Sequence, residues 1–218
     1  IKVCLFRQWH SKYNFSKYTT EELIVTFELF WNLVGSERTE VNADIQHQYM
    51  SEVVKRVDKG NDDLAEYYLG SLYMDQKGFI ENYSAALEFF TKSVNIMEAK
   101  AKLGYMYYEG LGVEKDINNA RGYFLLALGT GVENSHADKF SGLGLSSYYL
   151  YEYYNSYSEY DRAFSYLRSS AAEHGYAPAQ YQLGVMYEYG YDTATSINLE
   201  RSKFWFDSVC KHVSEDIY

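Results

Sequence analysis

The chain has 218 residues, with 20 Lys and Arg against 30 Asp and Glu, a formal net charge of −10. That balance excludes the basic face needed by nucleic acid or an anionic membrane surface, and Lys55-Arg56 is the one adjacent basic pair. Hydrophobic residues make up 47%, enough for the core of one domain or a short repeat array, and 25 tyrosines with a single proline lean the chain toward helix and toward a protein-binding surface.

In chain order, Ile1–Tyr18 shows no clear element. The start at Ile1 rather than Met fits a processed or partial chain, from which a signal peptide could be lost. Thr19 with Glu22 three residues on is a capping signal for a helix ending at Gly35. Its apolar body, "LIVTFELFWNLV" from Leu23 to Val34, contains Glu28 and falls short of the ~20 residues of a membrane span, so it reads as a buried helix. A second helix is expected over roughly Ala43 to Lys59, closed by Gly60. Residues 1–61 are therefore assigned to an N-terminal cap and a divergent helix pair.

From residue 62 onward the chain repeats itself. "LAEYYLGSLY", "EAKAKLGYMY" and "PAQYQLGVMY" share A-x-x-x-L-G-x-x-Y at Ala65, Leu69, Gly70 and Tyr73, at Ala99, Leu103, Gly104 and Tyr107, and at Ala179, Leu183, Gly184 and Tyr187. A degenerate copy has Leu143-Gly144, with Lys139 in the alanine place and Ser147 in the tyrosine place. After each copy comes a stretch in which a small residue (Ala86, Ala120, Ala163 or Ser202) precedes aromatics by about one helical turn. Each unit is then helix A, a bend and helix B, with units at about 62–96, 97–133, 134–175 and 176–213. A helix-interior glycine costs roughly 1 kcal/mol against alanine, so the recurring L-G glycine must gain by letting helix B approach. In the third unit "YYLYEYYNSYSEY" replaces the bend, which predicts an extended helix A.

These residues resemble the Sel1-like repeat, a relative of the tetratricopeptide repeat. The second unit matches best, through Ala99, Leu103, Gly104, Tyr107, Gly110, Gly112, Val113, Asp116, Ala120, Tyr123 and Ala127. The resemblance implies an all-α, right-handed α-α superhelical solenoid of Sel1-like helix-pair repeats. It also implies scaffolding of a protein complex, with the A helices lining a concave face.

Motifs for chemistry are missing. "GLGV" (Gly110–Val113) is no dinucleotide fingerprint and follows no strand, so it reads as an inter-helix turn with positive φ, with Asp116 starting helix B. His10, His47, His136, His174 and His212 include no helical ligand pair, and no G-x-S-x-G elbow occurs. No cofactor, metal or catalytic residue is assigned. The adjacent acids read as solvated faces. Asn14-Phe15-Ser16 and Asn82-Tyr83-Ser84 are glycosylation triplets that matter only in a eukaryotic secretory pathway. Cys4 and Cys210 should lie too far apart to bridge. Sel1-like proteins of oxidising compartments often carry cysteine pairs within repeats, so their absence favours a reducing, cytoplasmic setting, with the endoplasmic-reticulum lumen or bacterial periplasm as alternatives.

In the register of the resemblance, groove positions of helix A fall on Leu64, Tyr67, Ser71 and Met74, on Glu98, Ala101, Tyr105 and Tyr108, on Asp138, Ser141, Leu145 and Tyr148, and on Pro178, Tyr181, Val185 and Glu188. Of these, Tyr67, Ser71, Met74, Glu98, Tyr105, Tyr108, Leu145, Tyr148, Tyr181, Val185 and Glu188 form the candidate partner-binding face, with Tyr73, Tyr107 and Tyr187 left to packing. The expected partner is a protein or peptide of basic or apolar character. The leading reading is a non-catalytic adaptor. An inhibitor or immunity-type binder of a basic protein is an alternative, and a β-lactam-binding hydrolase a further one.

Overall fold

The computed structural model describes residues 15–34, 40–60, 62–74, 82–93, 95–129, 142–191 and 196–215, without the side chains of 31–44, 142 and 212–215. Among them are ten α-helices, one 3₁₀ turn and no strand. The helices fall into two compact units, Ile1–Ile96 and Met97–Tyr218.

The first unit holds the 3₁₀ turn Phe15–Lys17 and helices α1 (Thr20–Val34), α2 (Glu40–Lys59), α3 (Asp63–Met74) and α4 (Tyr83–Lys92). The predicted capping box closes at the start of α1. The Glu22 amide donates to Thr19 Oγ1 at 3.2 Å, and the Thr19 amide donates back to Glu22 Oε2 at 2.9 Å. Leu23, Phe27, Tyr49, Val53, Leu69 and Leu72 form its core. Arg56 ties the chain entry to α2, donating to the carbonyl of Tyr18 at 2.6 Å and to Thr20 Oγ1 at 2.9 Å. Gly60, at φ +72°, ends α2 in the left-handed region, as Gly175, at φ +64°, does after a later helix. Gly35, Gly78 and Cys4 lie outside the described residues.

The second unit holds α5 (Met97–Glu109), α6 (Ile117–Gly129), α7 (Gly142–Ser156), α8 (Tyr160–Ala172), α9 (Ala177–Tyr189) and α10 (Leu199–Glu215). Each A helix is followed by its B helix, and α5 also packs against α7. The bend after α5 is built as the glycines require. Gly110 and Gly112 sit at φ +80° and +68°, and the Gly110 and Leu111 amides both donate to the Met106 carbonyl. Asp116 Oδ1 then accepts from the Asn118 and Asn119 amides at 2.9 and 3.0 Å, capping α6. Asn82 and Asn198 cap α4 and α10 in the same way.

The L-G glycines have the packing role their recurrence demands. A Cβ on Gly70 would stand 2.9 Å from the Phe90 ring, on Gly104 2.6 Å from Phe124, and on Gly184 2.6 Å from Phe206. At Gly144 the close neighbours are instead Tyr176 and His174, at 3.1 and 3.2 Å. The small residue one turn before each ring is buried, at 0% exposure for Ala86, 1% for Ala120 and 4% for Ser202. The consensus tyrosines pack as expected. Tyr73 stacks on Phe89, Tyr107 stacks on Tyr123, and buried Tyr187 lies under the Arg201 guanidinium.

The third repeat departs from this scheme in an informative way. Helix α7 continues to Ser156 where α5 stops at Glu109, so the extension predicted for "YYLYEYYNSYSEY" is present. Ser147, in the tyrosine place, is buried at 1%. The stacking role passes two turns along to Tyr154, whose ring lies parallel to Tyr166 at 5.4 Å, with Arg162 over it and Arg121 donating to its hydroxyl.

Candidate functional site

The sequence-derived face is only partly a face. Met74 is buried, at 8%, and Ala101 is fully buried, so both belong to the core of their helix pairs. Asp138 and Ser141 lie outside the described residues. In the first unit Tyr67 and Ser71 are half-buried. The Tyr67 ring lies 5.8 Å from Phe90, and the Ser71 hydroxyl donates to the Tyr67 carbonyl. In the second unit Glu98, Leu145, Val185 and Glu188 are half-buried. Tyr181 is 55% exposed with its ring 5.6 Å from Phe206, and Pro178 sits exposed in the first turn of α9.

Tyr105, Tyr108 and Tyr148 do come together, around a residue the register missed. Tyr149 lies 5.7 Å from Tyr105, 4.7 Å from Tyr108 and 5.7 Å from Tyr148, measured between ring centroids. Tyr176, just before α9, joins through Tyr148 at 5.6 Å. The cluster follows from the repeat signature. Gly104 seats Phe124 against α5, and Tyr149 stacks on Phe124 at 5.3 Å with the planes within 7°. In the first and fourth repeats the equivalent phenylalanine has a tyrosine of its own A helix beside it, Tyr67 or Tyr181. The second repeat has small Ala101 there, and the Phe124 ring is covered by Tyr149 of α7.

Helical periodicity places the rest. Tyr105, Tyr108 and Glu109 share one face of α5, and Leu145, Tyr148, Tyr149 and Glu152 share one face of α7. The carboxylates act on the phenols. Burial, then Glu152, pushes the Tyr148 hydroxyl up to about 12. Burial, followed by Glu152 and Glu109, raises Tyr108, and burial with Glu109 raises Tyr105. Burial dominates at Tyr149 and Tyr176, which are also raised. These phenols are therefore neutral at physiological pH and present ring faces and hydroxyls beside two carboxylates. Such a surface offers large apolar area, hydrogen bonding and attraction for cations.

Among the described residues, nothing comparable points to catalysis. In the first unit a cleft of about 460 Å³ is lined in part by His47, Ser51 and Glu52, but no hydrogen bond among the described residues joins His47 to Ser51. Ser170, buried, donates to the Gly144 carbonyl, and Ser169 to Glu173. Among the described residues no group of three or more His, Cys, Asp or Glu could hold a metal ion, and no helix is long and apolar enough to cross a membrane. Cys210 is exposed and unpaired.

Comparison with known proteins supports the same architecture. The family model described as the Sel1 repeat matches residues 63–95, 98–128 and 177–211. The stretch between the second and third matches holds α7 and α8, the pair with Ser147 in the tyrosine place. No curated protein matches the chain. Among solved structures, a protective antigen present in uropathogenic Escherichia coli strains, displaying an SLR fold, is similar with a TM-score of 0.58 and 21% identity over 76% of this chain and 34% of that one. A Sel1 repeat protein from Oxalobacter formigenes is similar with a TM-score of 0.61 and 22% identity over 88% of this chain and 69% of that one. The chain thus spans about a third of the first structure's length and 69% of the second's. At these identities the likeness establishes an all-α repeat solenoid.

Proposed function

Because the chain is a Sel1-like repeat protein, we propose that it is a non-catalytic adaptor that binds a protein partner through the tyrosine-lined face of α5 and α7. Sel1 repeats are commonly protein-interaction scaffolds, and the finer assignment rests on one observation. Tyr105, Tyr108, Tyr148 and Tyr149 converge, half-buried, beside Glu109 and Glu152 on two adjacent A helices. Tyrosine supplies contact area and a hydroxyl at low rotamer cost, which suits it to interfaces more than to a protein surface with no partner.

The test is affinity capture from the native cell extract, comparing wild type with Tyr105→Ala/Tyr108→Ala. Loss of the ring contacts with Tyr149 should cost roughly 1–2 kcal/mol of stability while far-UV ellipticity is retained. A specific partner retained by wild type should be lost by the variant. Equal retention by both proteins, with the variant folded, sinks the assignment to this face. Tyr148→Ala is the second variant if the double change unfolds the chain.

A further inference from the structure

The tyrosine cluster already carries a cation of its own. Lys115 leaves the bend between α5 and α6 and holds Nζ 5.2 Å from the Tyr108 ring centroid. Its side chain is exposed, and among the described residues it makes no ion pair. The backbone beneath it is held, with Gly110 and Gly112 in the left-handed region and the Asp116 amide donating to the Tyr107 carbonyl at 2.9 Å. A lysine on a fixed bend is thus kept beside one aromatic face, held there, among the described residues, by the ring alone.

The carboxylates beside the rings have no cationic partner among the described residues, Glu152 having only the Tyr148 hydroxyl. Glu109 and Glu152 both act on Tyr108, and neither pairs with Lys or Arg among the described residues. A purely apolar partner covering this face would strip water from two carboxylates and return nothing, which is costly. A cationic side chain would meet tyrosine ring faces and carboxylate charge together, and both interactions favour it. We propose that the Tyr105, Tyr108, Tyr148 and Tyr149 cluster seats a lysine or arginine side chain of the protein partner, and that Lys115 occupies the seat in the free protein and is displaced on binding. This deepens the adaptor reading and rests on it.

The probe is a fluorescently labelled peptide of alternating lysine and leucine, beside equal-length peptides alternating leucine with glutamine and leucine with glutamate, each titrated into the full chain. Wild type should bind the lysine peptide in preference to the other two. Lys115→Gln, which frees the ring, should tighten the lysine peptide by about two- to tenfold, the range of a surface cation–π contact. Glu109→Gln/Glu152→Gln should weaken it by about three- to tenfold and leave the glutamine peptide unchanged. With lysines ¹³C-methylated, the Lys115 resonance, assigned by its absence from Lys115→Gln, should lie upfield through the Tyr108 ring current. It should move to the position of solvated lysines as the peptide saturates. The proposal is overturned if Lys115→Gln leaves or weakens lysine-peptide binding, if the Lys115 resonance does not move, or if no peptide binds either protein. Should all three peptides bind equally and all be lost in Tyr105→Ala/Tyr108→Ala, the cation seat falls and the adaptor face stands. Partner capture that ignores the double substitution removes the adaptor face itself.

Discussion

Gly104 decides how near α6 can come to α5. A methyl group there would meet Phe124 ring carbons at 2.6 Å, and Phe124 is 1% exposed, with no room to retreat. Gly104→Ala should therefore destabilise the protein by about 1–3 kcal/mol in urea unfolding, although alanine is the better helix former. Gly122 is the internal control. It lies in α6 with nothing within 4 Å of its would-be Cβ, so Gly122→Ala should stabilise by up to about 1 kcal/mol. Equal signs for the two substitutions would refute the packing account of the L-G glycine. Tyrosine chemistry belongs to the same scale. The Tyr148 phenol is raised from 10.0 to about 12 in the folded chain, so folding favours its neutral form. That stability is intact below pH 10 and is lost as pH rises through about 12. Phenolate absorbance should accordingly show a subset of tyrosines titrating late, and Glu152→Gln should bring the Tyr148 titration part of the way back toward the ordinary 10.0, burial keeping it raised.

At the scale of the element, helix starts and the extended α7 carry the informative energies. Asp116 satisfies two backbone amides at the head of α6. Asp116→Ala should cost about 1 kcal/mol and Asp116→Asn much less, measured as shifts in the urea midpoint. Helix α7 reassigns a conserved-looking role. Its register position holds Ser147, while Tyr154, two turns on, is buried at 4% between Tyr166 and the guanidinium groups of Arg121 and Arg162. Tyr154→Ala should cost about 3 kcal/mol or more, whereas Tyr154→Phe keeps the stack and gives up only the Arg121 hydrogen bond, about 1 kcal/mol. Comparable losses from the two changes would mean that the hydroxyl, not the ring stack, anchors the extension.

At the scale of the whole molecule, charge is the relevant property. A chain of net charge −10 presenting Glu109 and Glu152 beside neutral phenols should steer a basic partner by long-range attraction. Partner association rates should fall steeply as sodium chloride is raised past physiological strength, because the Debye length drops below about 8 Å. Dissociation rates should change little. A salt-insensitive association rate would argue for a purely apolar interface.

Much of this protein was legible in one dimension because its determinants are local and recur. The capping box at Thr19 and Glu22, the Asp116 cap, the positive φ of Gly60, Gly110 and Gly175, and the pairing of Gly70, Gly104 and Gly184 with a helix-B ring are set within a few residues or one helix pair. A repeat signature therefore determined the all-α architecture, and it brought Tyr105, Tyr108 and Tyr148 forward as a group. What it could not decide was which surface each ring meets. Tyr149 is next to a predicted residue, yet it became the centre of the cluster because Ala101 leaves the Phe124 face open to a neighbouring helix. Met74 and Ala101 satisfied the register but were buried, and Tyr154 took over a packing role two turns outside it. Those outcomes depend on side-chain volume across three helices at once, which only tertiary packing sums.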